Sequence, residues 1–178
     1  MLYIRHSKKL YQNGKAKQFC LDPPLTPEGR AYARKKFAEI CETYPLPKMI
    51  VSSPFLRTRE TALILADVVF EKTGEKIRIQ FDDGIGEYLG NHIDVPPRIG
   101  LRKKTADHIL SYPSRWDEYT KKIEHFMNIN CNCNGNDIWY VTHGIVIQKI
   151  AEYYGYKLNY PRELQGIYVQ SGVVKLVQ

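Results

Sequence analysis

The feature that most constrains this chain is an alternation of short apolar runs with helical segments, in which three of the runs stop at polar residues. Leu2-Tyr3-Ile4-Arg5 reads as a strand that ends at Arg5-His6. Met49-Ile50-Val51-Ser52 reads as a second, ending at Ser52-Ser53-Pro54. Asp137-Ile138-Trp139-Tyr140-Val141 reads as another, ending at Thr142-His143-Gly144. Short apolar runs bounded by turn residues suit buried strands. Between the first two lies a helix start, Thr26-Pro27-Glu28: Thr26 caps, Pro27 suits the first helical position, and Glu28 suits the positive end. Ala33, Phe37, Ile40, Cys41 and Tyr44 then recur at helical spacing until Pro45 and Pro47 end the pattern. Ser53-Pro54 repeats the start signal, with Ser53 expected as the cap of a helix that runs through Ala62, Leu65, Ala66 and Val69 to Gly74. Residues 76–80 alternate like a strand, and residues 82–113 are rich in Gly and Pro, with a short helix near 102–110. A helix over 114–127 capped by Ser114, a helix from Gly144 to Tyr154, and a hairpin of 166–170 with 172–177 around Ser171-Gly172 complete the pattern.

This order predicts an α/β fold, a three-layer sandwich with a mostly parallel central sheet flanked by helices. The expected organisation is a single domain over 1–178 with a cap or insertion at 88–113. At 178 residues, 43% hydrophobic and 25% charged, the chain can bury a core without disulfide or metal staples. In such sheets ligands gather beyond the carboxyl ends of the strands. Arg5-His6, Ser52-Ser53-Pro54 and Thr142-His143-Gly144 should therefore project to one edge. These residue types handle phosphate. Arg57 joins them from the first turn of the second helix, where free amides and the helix dipole already favour an anion and a guanidinium can fork onto phosphate oxygens. Arg30 and Arg59 read as outward ion-pairing residues.

Taken together, Arg5-His6, Leu25-Thr26-Pro27-Glu28-Gly29, Ser52-Ser53-Pro54 with Arg57 and Thr61-Ala62, Glu87, and Thr142-His143-Gly144 resemble the histidine phosphatase superfamily, which includes the phosphoglycerate mutases and many phosphatases. Each motif alone is weak; their order and separations make the match. The resemblance implies the phosphoglycerate mutase-like fold and an enzyme that transfers phosphoryl groups through His6, the residue transiently phosphorylated. It implies that Arg5, Arg57 and a protonated His143 surround the phosphoryl group and that Glu87 donates the proton, with Asp82 and Asp83 close by as competing carboxylates. His6 must be neutral at the attacking nitrogen, and nearby arginines should keep its pKa low.

Departures from the family pattern narrow the reading. Ser7 stands where Gly usually follows the Arg-His pair, and it is expected to donate to phosphate. Lys9 and Gln12 occupy the places where mutases carry Ser or Thr and Asn. Lys9 is similar to the extra basic residue of the branch with the Sts-type and ecdysteroid-phosphate phosphatases, and is expected to add charge to the phosphate site. The favoured activity is a metal-independent phosphatase that hydrolyses a phosphomonoester, of a small molecule or a protein. A phosphomutase and a non-catalytic phosphate- or nucleic-acid-binding module on the same fold are the alternatives.

The net charge, 26 − 19 = +7, favours anionic partners without choosing among them. The basic stretch Arg98, Arg102, Lys103 and Lys104 with His92 reads as either a recognition surface for an extended anion or a solvated face. Tyr88 and Tyr11 are candidates for an apolar wall. Cys20, Cys41, Cys131 and Cys133 read as free thiols, because no second ligand pair follows at zinc-site spacing. No cofactor or metal is expected, and nucleic acid is disfavoured as a partner. No run approaches the about 18 apolar residues of a membrane span, and the start lacks the pattern of a signal peptide. A cytosolic or nuclear location is the expectation.

Overall fold

In the computed structural model, residues 1–10, 22–88, 115–130 and 137–178 are described. They form a six-stranded sheet with helices on both faces. The strands are β1 (Leu2–Arg5), β2 (Met49–Ser52), β3 (Arg78–Phe81), β4 (Ile138–Thr142), β5 (Gly166–Gln170) and β6 (Val173–Val177). Their spatial order is β3-β2-β4-β1-β5-β6. The neighbours among β1 to β4 pair in parallel, whereas β5 runs antiparallel to β1 and β6 antiparallel to β5. The helices are α1 (Pro27–Thr43), α2 (Leu56–Thr73), α3 (Trp116–Asn130) and α4 (Gly144–Tyr153). The fold is the α/β sandwich with a mostly parallel sheet that the alternation of elements predicts.

The period-2 geometry of a strand divides each one between two cores. Leu2, Ile4, Ile50, Trp139 and Val141 face Phe37 and Ile40 of α1 and Leu65 and Val69 of α2. Tyr3, Val51, Tyr140 and Ile167 face Ile123 and Phe126 of α3 and Val146 and Ile150 of α4. Burial on both faces explains why these strands are continuously apolar rather than alternating.

Some boundaries move for tertiary reasons. β3 begins at Arg78 because its parallel partner β2 spans only Met49 to Ser52, paired with Arg78 through Phe81. Thr26 caps α1 as expected, accepting from the Gly29 amide at 2.9 Å. Ser53 does not cap α2: that helix starts at Leu56, and Phe55 at its cap makes no side-chain hydrogen bond. The Leu56 amide instead donates to Asp22 Oδ1 at 2.6 Å, from 34 residues upstream. The closing hairpin turns through Ser171 (φ 51°) and Gly172 (φ 77°), both left-handed as a two-residue primed turn requires.

The span expected as a cap, Tyr88 apart, lies within residues 89–114 and outside the described residues. So do the expected helix near 102–110, Ser114, His92 and the basic residues 98–104, Tyr11, Gln12, Cys20, Cys131 and Cys133. Cys41 is described; it is buried and its thiol is pushed up to about 11 by burial, which makes it a poor nucleophile. No helix among the described residues is long and apolar enough to cross a membrane.

Candidate active site

The sheet itself brings the histidines together. The His6 amide donates to Thr142 O at 3.0 Å, and the Ser53 amide to Val141 O at 2.9 Å. The parallel ladder thus extends one residue past β1 and β2 and seats both chains against the end of β4. The His6 and His143 rings lie 5.4 Å apart, tilted by 64°. Both are buried, at 1% and 0% exposure. His6 Nδ1 lies 2.7 Å from Ser7 O. A carbonyl only accepts, so Nδ1 carries the proton and Nε2 keeps its lone pair. Burial first, then the neighbouring His143 and Arg57, pushes the His6 pKa well below 6.5 and keeps the ring neutral.

His143 corrects one expectation. Burial and the charges of Arg57, Lys9 and Arg5 push its pKa well below 6.5 too. That direction favours a neutral ring, against the protonated residue the resemblance implied. Its Nε2 lies 2.9 Å from Ser53 Oγ, and its Nδ1 lies 3.7 Å from Glu87 Oε2.

The two arginines are held differently. Arg5 Nη1 donates to Pro161 O at 2.9 Å, its Nη2 lies 3.8 Å from Glu163, and its guanidinium stands 4.9 Å over the Tyr160 ring. Arg57 is fully buried between two carboxylates, with Nη1 3.4 Å from Asp22 Oδ1 and Nη2 hydrogen-bonded to Glu87 Oε2. Its guanidinium also lies 4.6 Å over Phe55. Arg5 Nε, Arg57 Nε and His143 Nδ1 are buried without a hydrogen-bond partner among the described residues. Leaving a buried polar group unsatisfied costs about 1–3 kcal/mol, and an oxyanion would satisfy the two arginine donors.

Glu87 is the carboxylate that reaches the site. Asp82 is taken up by its own turn, where Oδ1 accepts from the Gly84 amide at 2.7 Å. Thr142 Oγ1 donates to Ile85 O at 2.6 Å and Tyr119 OH to Gly86 O at 2.9 Å, which fixes the segment just before Glu87. Burial raises the Glu87 pKa, but Arg57, Lys9 and His6 together outweigh it, and the net direction is down. That direction keeps Glu87 a carboxylate. Lys9, half-buried, is in turn affected by the charges of Glu87, Arg57 and Arg5, which places its ammonium in the same electrostatic neighbourhood.

Ser7 serves differently from the phosphate donor expected. Its hydroxyl donates to Gly29 O at 2.7 Å and its amide donates to Thr61 Oγ1 at 3.1 Å. The single hydroxyl proton is committed to the protein, so Ser7 clamps the turn after His6 to α1 and α2. Gly29 makes that contact possible, since a Cβ there would sit 2.4 Å from Lys8 O. Arg30 pairs outward with Glu60 at 2.8 Å as expected; Arg59 instead stands 4.8 Å over Phe81.

Sequence reasoning missed Asp22 as part of the site, and it placed Ser53 at the site's edge without showing that its hydroxyl meets His143. Asp22 is 4% exposed, and burial pushes its carboxyl up to about 6 against the pull of the Leu56 amide and Arg57. Its one sequence signal is its place directly before Pro23-Pro24-Leu25-Thr26, at the start of the α1 motif.

Similarity to known proteins agrees with this geometry. A profile of the Histidine phosphatase superfamily (branch 1) matches residues 1–170. A phosphoglycerate mutase family protein of Acanthamoeba polyphaga mimivirus is 28% identical over 159 residues, covering 84% of this chain and 76% of that protein. The crystal structure of phosphoglycerate mutase from Bacillus anthracis superposes with a TM-score of 0.63 at 17% identity, covering 99% of this chain and 90% of that one. The ecdysone phosphate phosphatase from Bombix mori, solved with tungstate, superposes with a TM-score of 0.64 at 15% identity, covering 99% and 91%. A mutase and a phosphatase fit the backbone equally well, so the fold does not choose between their reactions. The chain belongs to branch 1 of the histidine phosphatase superfamily.

Proposed function

We propose that this protein is a phosphatase that hydrolyses a phosphomonoester through a phosphohistidine on His6, without a metal. The observation that carries the reading is the tautomer of His6: Nδ1–H is tied to Ser7 O, which leaves Nε2 as a neutral nucleophile. An arginine pair and a carboxylate stand around it.

In the first step, His6 Nε2 forms a bond to phosphorus as the bond to the leaving oxygen breaks in line. Arg5 and Arg57 bind the equatorial oxygens, and fixed cations in a buried site stabilise the charge that develops there. Lys9 adds to the same positive field. Glu87 holds the place of an anion against Arg57 until substrate arrives. A bound phosphate dianion competes for Arg57 and adds negative charge beside Glu87, which raises its proton affinity. The protonated Glu87 then delivers that proton to the leaving oxygen. In the second step Glu87, again a carboxylate, takes a proton from the water that attacks phosphohistidine. Phosphate leaves and His6 Nε2 regains its lone pair.

Two observations favour hydrolysis over a mutase reaction. Lys9 stands where mutases carry Ser or Thr, and its charge reaches Glu87 and both arginines. The test is turnover of phenyl phosphate with and without chelator, together with trapping of acid-labile, alkali-stable phosphoprotein. Chelator-resistant turnover and a trapped phosphoenzyme, both absent in His6→Ala, are expected. Turnover that survives in His6→Ala would sink the mechanism. A trapped phosphoenzyme that passes phosphate to an alcohol rather than to water would identify a mutase.

A further inference from the structure

Two buried histidines stand side by side in the site, and different groups decide where each carries its proton. His6 is settled by a carbonyl, Ser7 O, which holds the proton at Nδ1. His143 meets a hydroxyl instead: its Nε2 lies 2.9 Å from Ser53 Oγ, and both residues are fully buried. A hydroxyl can donate or accept, so the surroundings decide the direction. The Ser53 backbone is already fixed. Its amide donates to Val141 O, and its carbonyl accepts from Ser52 Oγ at 2.8 Å and Thr58 Oγ1 at 2.7 Å. Among the described residues, the Ser53 hydroxyl forms no hydrogen bond other than that with His143. If Nε2 held the proton, the buried hydroxyl proton would lack an acceptor, which is costly. A bare Nδ1 lone pair would also face the Glu87 carboxylate at 3.7 Å. If Ser53 donates, its proton is satisfied and Nδ1–H lies on the side of that carboxylate.

Resting on the phosphatase reading for its purpose, we infer that Ser53 is a positioning residue: its hydroxyl donates to His143 Nε2 and so holds Nδ1–H as a neutral donor for a phosphoryl oxygen. The ring itself is held in place. His6 stands 5.4 Å and Phe55 5.1 Å from it, both edge-on. Nδ1 is not spent on the helix that follows, since His143 caps α4 without a side-chain hydrogen bond. It is buried with no hydrogen bond of its own among the described residues. Arg57 Nη2 also reaches Glu87 Oε2, so Nδ1 and the guanidinium converge on one anionic position. An oxyanion that takes the place of the carboxylate there meets both donors. Burial and the charges of Arg57, Lys9 and Arg5 oppose a second proton on the ring. A fixed tautomer rather than a positive charge therefore supplies the donor. The two histidines are complementary: a carbonyl leaves His6 with a lone pair at Nε2, and a hydroxyl leaves His143 with a proton at Nδ1.

The experiment reads the imidazole nitrogens directly, by nitrogen NMR of isotope-labelled protein with His6 and His143 assigned through the backbone. In the unaltered protein His143 should show a protonated Nδ1 and a bare Nε2, and saturating inorganic phosphate should shift the Nδ1 proton. A protonated Nε2 overturns the inference, as does an Nδ1 signal that phosphate leaves in place. Ser53→Ala removes the donor. The proton should then redistribute between the two nitrogens of His143 while His6 keeps its proton on Nδ1, and phosphate should bind roughly tenfold more weakly. Disturbance of both rings would mark Ser53 as merely structural and overturn its role. So would a loss of affinity with the His143 tautomer unchanged, or no loss at all. If Ser53→Ala does not fold, the spectra of the unaltered protein decide. None of these readouts needs turnover. The expected spectra in a protein that cleaves no ester would keep the tautomer and sink the phosphatase reading. A bare Nδ1 in a protein whose turnover requires His6 would do the reverse.

Discussion

The two halves of the site are built by different means. Arg5, His6 and His143 stand at the ends of β1 and β4, adjacent central strands in parallel register. Their backbones are held by the sheet ladder, and the register that pairs Arg5 with Thr142 also brings His6 to His143. Arg57 and Glu87 belong instead to a helix start and a loop. They are held by side chains from far along the chain: Asp22, Thr142 and Tyr119. The strand half is anchored by the ladder that also carries the buried core. The helix half is a chain of charges, Asp22–Arg57–Glu87. His6 is placed by the first device, and Arg57 and Glu87 are placed by the second.

Breaking the strand half should have the largest effect. On the proposed mechanism His6→Ala removes the nucleophile, and turnover should fall by at least about 10,000-fold, as for other nucleophile deletions. The fold should persist, because His6 contributes a neutral ring whose removal leaves no buried charge. Circular dichroism beside the kinetic assay checks both points.

Glu87→Gln tests the responsive half. The rate should fall by about 100- to 10,000-fold on an alkyl phosphate. The loss should be much smaller on 4-nitrophenyl phosphate, whose leaving group needs no proton. Equal losses on both substrates would show that Glu87 only positions Arg57.

Asp22 sharpens the comparison further. Asp22→Ala removes the acceptor of the Leu56 amide and one partner of Arg57. Helix-cap losses typically cost about 1 kcal/mol, and inorganic phosphate should bind roughly tenfold more weakly. Asp22→Asn keeps the amide acceptor and should recover most of the stability but not the phosphate affinity. If both variants bind phosphate normally, Arg57 is aimed by the packing around it and the charge chain is not needed.

The smallest effect concerns pH. His143 has its folded pKa below 6.5, so the unfolded chain binds more protons as pH falls through 6.5 and native stability declines there. Asp22 acts in the opposite sense. Its pKa is raised to about 6, so its favourable contribution is complete below 3.8 and is lost as pH rises through about 6. Melting curves of His143→Asn should fall less steeply than the unaltered protein between pH 6.5 and 5. Those of Asp22→Asn should lose the decline that Asp22 imposes as pH rises through 6.

Legibility followed the same division. β1 and β2 lie where the apolar runs place them, because strands buried on both faces must be apolar throughout. Thr26, Pro27 and Gly74 marked helix ends correctly, since capping and left-handed turns are local events. Ser53 misled as a helix cap because a cap signal does not reveal which acceptor will win the first amide, and a buried carboxylate from another segment won it. Ser7 misled because a hydroxyl's partner depends on what packs against it, here Gly29.

The amino-acid sequence by itself determined the alternation of strands and helices, the two buried faces of the sheet, and the edge at which His6, Arg5 and His143 would meet. These follow from periodicity and from the rule that parallel strands end together. Only the tertiary structure decided which carboxylate reaches Arg57, which tautomer His6 adopts, that burial favours the neutral form of His143, and that Asp22 belongs to the site. Each of these rests on desolvation and on contacts between residues far apart in the chain, and both exist only once the chain has folded.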